Sequence, residues 1–103
     1  MSASAPSIGV SYQAHVQNLG WLDTVSNGAV TGTTGQSLRL EALRIWLENP
    51  SPGMRIGYQA MVQGLGWMEV VFDGAEAGTT GQMRAIEAIR IWLVQPPQGM
   101  HML

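Results

Sequence analysis

Aromatic and polar side chains that could bind a ligand occur at matched positions in the two halves of this chain. Trp21 and Trp67 each follow a glycine within nearly the same phrase, VQNLGWL and VQGLGWM. A flat indole stacks on the apolar face of a sugar ring, while neighbouring amides and carboxylates bind the sugar hydroxyl groups. The residues that could complete such a site are His15, Gln17, Asn18, Asp23, Glu41, Gln63, Glu69 and Glu87. The pattern predicts either a sugar platform at each tryptophan or two tryptophans packed in the core.

A second pair of tryptophans lies close to arginines near the end of each half. Trp46 stands two positions after Arg44, and Trp92 stands two positions after Arg90. Residues two apart on a strand share one face, so each pair is expected opposite the apolar side chains that alternate with it. Because tryptophan and arginine are enriched in interface hot spots, these pairs indicate a subunit interface, a ligand platform or ordinary packing.

The residue sets needed for catalysis or metal binding are sparse. Glu41 and Glu87 are one position in two copies, so each copy brings one carboxyl group, whereas glycoside hydrolysis needs a pair at one cleft. A glutamate in an apolar strand more often accepts backbone hydrogen bonds or pairs with an arginine. His15 has no second histidine, cysteine or close carboxylate in its pattern, and no Ser-His-Asp or Cys-His set can be assembled. We therefore expect no enzymatic activity, no metal and no cofactor.

Composition narrows the classes of partner. Apolar residues make up 46% of the chain and charged residues only 12%, with a net charge of −2 and no lysine. Without a basic stripe to neutralise phosphates, nucleic-acid binding is not expected. No apolar run reaches the roughly 18 residues of a membrane span, and the start MSASAPS lacks the basic and apolar regions of a signal peptide. Cysteine is absent, which excludes disulfides.

The organisation of the chain is an internal repeat. A shift of 46 residues without a gap aligns the two halves, and about 22 of the 36 positions from Tyr12 to Leu47 are identical. We interpret residues 1–103 as one domain, with repeat 1 at residues 8–48 and repeat 2 at residues 54–94. The tail at 95–103 contains GMHM, which matches the GMRI that opens repeat 2. It resembles the first strand of a third repeat, although an arbitrary end of the chain would look the same.

Within each repeat the pattern favours strands. Apolar residues alternate strictly from Val10 to Val16 and from Ile56 to Val62, as in half-buried strands. A second strand is predicted at residues 21–26 and 67–72, each before an Asn-Gly or Asp-Gly pair that favours a type I′ hairpin. The third segment, SLRLEALRIWL, contains good helix formers but has no single apolar stripe. Its alternation slips by one residue near Glu41, which predicts a strand with a β-bulge.

The fold class follows from these strands. We predict an all-β protein of two tandem antiparallel sheet repeats of about 46 residues, each with three or four strands. Such a sheet cannot bury its apolar face alone, and closed all-β repeat architectures generally use three or more units. We therefore expect a pseudo-symmetric prism, trefoil or propeller-like assembly that is completed by formation of a homo-oligomer.

The motifs also resemble a known family. Tyr12, HVQN, GW, an Asn-Gly turn, GTTG and RLEA before an apolar strand are similar to the ChW repeat, a clostridial hydrophobic segment with a conserved tryptophan. The resemblance implies an extracellular or cell-surface module of Gram-positive bacteria that binds glycans or proteins. Repeat 2 departs from the pattern at Met61 and Gly64, and at residues 84–86. Both repeats also depart from it by carrying tryptophan at positions 46 and 92.

These features lead to one functional expectation and one alternative. We expect non-catalytic, lectin-like binding of glycans or glycoproteins, made multivalent by a symmetric assembly. If His15 and Asn18 contact the ligand, repeat 2 should bind differently or not at all. The alternative is a structural or adhesive protein-interaction module of the bacterial surface, in which the tryptophans contact proteins or hold the oligomer together.

Overall fold

The computed structural model describes residues 8–95, which form nine β-strands in two antiparallel sheets and contain no helix. Repeat 1 contributes β1 (Gly9–Val16), β2 (Gly20–Trp21), β3 (Val25–Ser26) and β4 (Leu40–Glu48). Repeat 2 contributes β5 (Arg55–Val62), β6 (Gly66–Trp67), β7 (Val71–Phe72), β8 (Ala77–Gly78) and β9 (Ile86–Val94). The all-β prediction is confirmed, and the ambiguous third segment is a strand in both copies. Apart from Gln95, the predicted tail at 95–103 lies outside the described residues.

The first strand of each repeat is the centre of its sheet. β1 pairs with β4 along one edge and with β2 and β3 along the other, and β5 pairs with β9, β6 and β7 in the same way. The single second strand expected at residues 21–26 is instead two short strands. The chain leaves the ladder at Leu22, whose carbonyl oxygen accepts a hydrogen bond from the Gln13 side-chain amide at 3.0 Å. Gln59 holds the carbonyl of Met68 in the same way at 2.8 Å.

The phase slip in the third strand is a bulge. In repeat 1, His15 pairs with Ala42 and Val16 pairs with Leu40, which leaves Glu41 as the extra residue. In repeat 2 the register shifts at the equivalent step, and Glu87 is the extra residue. The bulge keeps the apolar side chains of both halves of the strand on the inner face of the sheet. It also turns the glutamate toward the outer, polar face.

The turns after β3 and β7 have the expected backbone but a different partner. Asn27 and Gly28 have φ angles of 52° and 92°, and Asp73 and Gly74 have 51° and 89°, as a type I′ turn requires. The predicted hairpin is wrong, however, because the residues after the turn do not pair back with the strand before it. In repeat 2 they form β8, which pairs with β4 of repeat 1. The turn therefore leads the chain from one repeat onto the other.

The core lies between the inner faces of the two sheets. Its central residue is Tyr58, which is fully buried against the apolar side chains of β4. The buried hydrophobic residues are Ala14, Val16, Ala42, Leu43, Ile45, Ile56, Tyr58, Ala60, Val62 and Ala77. Residues 8–95 do not close into a barrel, and an open apolar cavity of about 300 Å³ remains between the sheets.

Candidate ligand-binding face

The outer face of each sheet carries a tryptophan stacked with an arginine. In repeat 1 the guanidinium carbon of Arg44 lies 4.0 Å from the centroid of the Trp21 ring. In repeat 2 Arg90 and Trp67 have the same separation of 4.0 Å. Both indoles are half-buried, and they lie on the side of the sheet opposite the core. Of the two alternatives for these tryptophans, the structure places them away from the core.

A glutamine positions each arginine. Gln13 accepts a hydrogen bond from Arg44 Nη1 at 3.4 Å, and Gln59 accepts one from Arg90 Nη1 at 3.2 Å. The amide nitrogen of each glutamine donates to the carbonyl of the residue after the stacked tryptophan. One side chain thus links the arginine to the strand that carries the indole. Neither glutamine was among the candidate residues, although both copies have glutamine on the polar side of the first strand.

The outer face of repeat 1 also contains an ion-pair cluster. Glu41 is only 5% exposed, and its two oxygens contact His15 Nδ1 at 3.1 Å and Arg39 Nε at 2.9 Å. The His15 ring lies edge-on to the Trp21 ring, with 5.2 Å between their centroids. The expectation that His15 has no close carboxylate is therefore wrong, because the bulge brings Glu41 across from the neighbouring strand. Arg39 was also missed, since nothing in its spacing indicates this contact.

Repeat 2 lacks this cluster. Met61 occupies the place of the histidine and Ala85 the place of Arg39. Glu87 is exposed, and its carboxylate has no side-chain partner within the described part of the chain. The arginine–tryptophan stack is therefore common to both repeats, whereas the buried, charged network belongs to repeat 1.

The turn after the first strand uses several predicted site residues for its own structure. Gln17 Oε1 accepts a hydrogen bond from the Arg39 backbone at 3.1 Å, and Gln63 Oε1 accepts one from the Ala85 backbone at 3.2 Å. Asn18 has a φ of 66°, which lies in the left-handed region that favours glycine and asparagine. The matched Gly64 in repeat 2 has a φ of 79°. Turn geometry therefore explains this departure from the family pattern, and ligand contact by these residues remains a prediction.

The remaining candidates lie in the loops beside the stacks or on the outer faces themselves. Asp23 and Glu69 are exposed in the loop that follows each stacked tryptophan. Trp46 donates from Nε1 to Glu48 at 3.0 Å, and the same carboxylate accepts from the buried Ser11 hydroxyl. Trp92 instead packs closely against Gly57 of its own sheet. A Cβ atom at Gly57 would lie only 2.8 Å from two atoms of this indole.

Two further properties of the structure bear on partners. Among residues 8–95 there is no group of three or more histidine, aspartate or glutamate residues that could hold a metal ion. No helix in that same range is long and apolar enough to cross a membrane.

Comparison with known proteins gives one match. The family model described as Clostridial hydrophobic W, ChW, matches residues 15–49 and again residues 62–95, together more than half of the chain. No curated protein and no solved structure matches the chain. Each matched segment contains one stacked tryptophan, the Gly-Thr-Thr-Gly loop and one bulged strand. The chain therefore belongs to the ChW family and contains two tandem ChW repeats.

Proposed function

We propose that this protein is a non-catalytic carbohydrate-binding protein with one site on the outer face of each repeat. The observation that carries the proposal is the half-buried indole stacked with an arginine, at the same 4.0 Å separation in both repeats. Because the stack lies opposite the core, its position is not explained by burial in the interior of the protein. Aromatic carbon and several fixed N–H donors at one place suit a ligand with apolar faces and hydroxyl groups.

The chemistry of the stack suits a ring that carries hydroxyl groups. The guanidinium offers planar donors that bind neighbouring hydroxyl oxygens, and the indole edge offers apolar contact. In repeat 1 the Glu41 carboxylate is engaged with His15 and Arg39, which leaves the cluster without a free excess charge. The carboxylate therefore orients donors around the site. We propose a non-catalytic role for this carboxylate because both of its oxygens are already bound, one to His15 and one to Arg39.

The two sites are proposed to differ in affinity. Repeat 1 presents polar His15 beside its stack, whereas repeat 2 presents Met61. Hydrogen bonds to a sugar are therefore fewer in repeat 2, and we expect repeat 1 to bind more tightly. A symmetric homo-oligomer then supplies avidity for dense glycans on a surface, which compensates for weak single sites. We propose an extracellular or cell-surface location, which is what the family resemblance implies.

The test is a glycan-array screen with the labelled full chain, followed by variants of each stack. We expect binding to a coherent set of sugars, with at least a tenfold loss in Trp21→Ala and a smaller loss in Trp67→Ala. Leu19→Ala is the matched control, since Leu19 is 51% exposed two residues before Trp21. Equal binding by the Trp21→Ala, Trp67→Ala and wild-type proteins would sink the proposal.

The second candidate is an adhesive or structural module that binds proteins. It is favoured by Trp46 and Trp92, which lie on the same outer faces as the stacks and enlarge their aromatic surface. The array separates the two functions. A folded protein that binds no sugar, yet loses attachment to protein-coated surfaces in Trp46→Ala, would establish adhesion.

A further inference from the structure

The two repeats are joined by a short segment of repeat 2 that docks on the outer edge of β4. This docking segment comprises residues 74–79. Gly74 N donates to the carbonyl of Ile45 at 2.7 Å, and Thr79 N donates to the carbonyl of Glu41 at 3.0 Å. Between these bonds, β8 pairs with Ala42 and Leu43. The joint is thus a strand added to the edge of the neighbouring sheet.

A tyrosine fastens the joint from the inside. The Tyr58 hydroxyl accepts a hydrogen bond from Ile45 N at 3.2 Å and donates one to the carbonyl of Ala75. It therefore touches both the receiving strand and the docking segment. Because this hydroxyl is buried, the joint satisfies polar groups that would be costly to leave unpaired.

Both halves of a second, equivalent joint remain open within the described residues. The edge of β9 opposite β5 pairs with no strand, although β9 matches β4 in sequence, bulge and register. The repeat 1 counterpart of the docking segment is residues 28–33, which also pairs with no strand there. Gly28, Ala29, Gly32 and Thr33 are identical to their counterparts in residues 74–79. Within residues 8–95, Tyr12, the counterpart of Tyr58, bonds only to its own turn at Gly28 and Ala29.

Burial differs accordingly along the two receiving strands. Ile45 in β4 is 5% exposed, whereas its counterpart Ile91 in β9 is 55% exposed. Ala42 and Leu43 are buried, whereas Ala88 and Ile89 are half-buried. A long, flat, apolar strand edge is a template for another strand unless something covers it.

We propose that a second copy of this chain covers β9 by docking its residues 28–33 there. The occupant is identified by the joint that already exists, since the same chain carries the matching segment in the same register. By equivalence, Tyr12 of one copy accepts a hydrogen bond from Ile91 N of the other, and Gly28 N donates to the carbonyl of Ile91. The tail motif GMHM matches the opening of repeat 2 rather than the docking segment, so it is not the equivalent occupant.

The joint is head-to-tail and closes into a ring. The described part of each chain has one open segment of this kind and one matching open edge, so every copy uses both when the assembly closes. Thr31 from the segment and Ile89 and Ile91 from the edge line the same apolar cavity. The two open halves therefore lie on one side of the molecule, which favours a small ring over an extended filament. This inference specifies the assembly behind the proposed avidity, but it does not depend on sugar binding.

The test uses two variants that break opposite halves of the joint. Ile91→Glu places a charge on the open edge. Thr31→Arg introduces a larger, charged side chain at a position whose counterpart, Ala77, is buried in the existing joint. We expect the wild-type chain to form a discrete oligomer by light scattering, and each variant to fall to the single-chain mass of 11.1 kDa. Val30→Glu is the matched control. Val30 is 74% exposed, and its counterpart Glu76 remains exposed in the docked repeat, so this variant keeps the wild-type mass.

Mixing the two variants tests the head-to-tail geometry. Ile91→Glu retains an intact segment and Thr31→Arg retains an intact edge, so the mixture forms a 1:1 complex that neither variant forms alone. That complex also shows that both variants are folded. A mixture that stays monomeric, a monomeric wild-type chain or an Ile91→Glu variant of wild-type mass would each overturn the proposal.

Two further measurements distinguish this proposal from docking of the tail on β9 and from the proposed sugar binding. Deletion of residues 96–103 should leave the number of subunits unchanged, and loss of the oligomer would assign the open edge to the tail instead. The Ile91→Glu monomer should keep its affinity for a single soluble sugar but lose agglutination. A wild-type chain that is monomeric and binds sugar would overturn the proposed joint between copies and leave the proposed function intact.

Discussion

The last strands of the two repeats have nearly the same sequence, yet one is covered and the other is open. β4 and β9 share the glutamate bulge and the Arg-Ile-Trp-Leu motif, and both pair with the central strand of their own sheet. They differ because the docking segment of repeat 2 lies on β4 and nothing in the described chain lies on β9. The burial of these residues therefore depends on whether another segment packs against the strand, and not on the sequence of the strand itself. An identical motif can be core in one copy and surface in the other.

The outer faces of the two repeats differ in the residues that contact the second tryptophan. Repeat 1 packs Ser11, Ser26 and Glu48 beneath Trp46 in a hydrogen-bonded set. Repeat 2 places Gly57 and Phe72 beneath Trp92, which makes this contact apolar and close. Apart from the arginine–tryptophan stack and its glutamine, the outer-face contacts differ between the two repeats. The proposed difference in sugar affinity between the two repeats rests on this divergence.

The largest expected effect comes from the matched glycines at the two docking segments. A Cβ atom at Gly78 would lie 2.5 Å from the carbonyl oxygen of Glu41, whereas one at Gly32 would meet no atom within 4 Å. Both glycines have positive φ, so alanine costs about 1–2 kcal/mol at either site. The clash in Gly78→Ala adds about 1–3 kcal/mol from forced displacement of the backbone. Urea unfolding at low protein concentration measures both free energies of unfolding.

Equal losses for Gly78→Ala and Gly32→Ala would show that the joint between repeats contributes little to stability. At high protein concentration, Gly32→Ala should also weaken the proposed oligomer, because Gly32 then occupies the place of Gly78 in the second joint. A Gly32→Ala chain that keeps the full oligomer would contradict that equivalence.

The matched tyrosines give an intermediate effect. Tyr58→Phe leaves the buried Ile45 N–H without a partner and should lower the free energy of unfolding by about 1–3 kcal/mol. Tyr12→Phe removes bonds at an exposed turn and should cost the monomer about 1 kcal/mol or less. Thermal unfolding at low concentration compares the two, and a larger loss for Tyr12→Phe would reverse the comparison.

Tyr58 should also make the free energy of unfolding depend on pH in the alkaline range. Burial raises the pKa of Tyr58, so the unfolded chain ionises this phenol at a lower pH than the folded protein does. The contribution of Tyr58 to stability is therefore fully present below the usual tyrosine pKa of about 10, and it declines as the pH rises beyond that value. Tyr58→Phe should remove this part of the decline.

The smallest effect concerns the turn residues Asp73 and Asn27. A hydrogen bond from Arg55 lowers the pKa of Asp73, and the Ile56 N–H adds to the shift. The carboxylate therefore stabilises the folded state above its usual pKa of about 4, and that contribution is lost as the pH falls through the lower folded value. Because the pair is exposed, it is worth only about 0.2–1 kcal/mol.

Asp73→Asn supplies the residue that repeat 1 already has. Asn27 Oδ1 accepts the Val10 N–H at 2.9 Å, so the amide can keep the turn contact without the charge. We expect the variant to lose this acid dependence while its turn stays intact, as measured by unfolding between about pH 2 and 6. An unchanged acid profile would show that the Arg55 contact adds nothing to stability.

Local features of the fold were predictable from the sequence. Alternation in VSYQAHV identifies β1, and the phase slip at Glu41 locates the bulge because side chains alternate with a period of two. The positive φ of the Asn-Gly and Asp-Gly turns is set by their residue types. The path of the chain after those turns was not predictable. The choice between pairing back and docking on the neighbouring sheet depends on contacts between distant parts of the chain.

The candidate site was predictable only in part. Trp21, Trp67 and Glu41 were identified because they recur and because their types suit a ligand or an ion pair. Arg39 was missed since its partner is brought to it by the bulge rather than by spacing. The difference in burial between Tyr12 and Tyr58 could not be predicted from the sequence, because residues that bury Tyr58 lie in the other repeat.

The order of strand and docking segment along the chain has a consequence for synthesis. β4 is complete at Glu48, whereas the segment that covers its edge starts at Gly74, so a growing chain carries a bare apolar edge in the interval. Such edges are where nascent chains aggregate. The first joint closes within one polypeptide, and its rate does not depend on protein concentration. The proposed second joint needs another molecule, so β9 stays bare longest when expression is low.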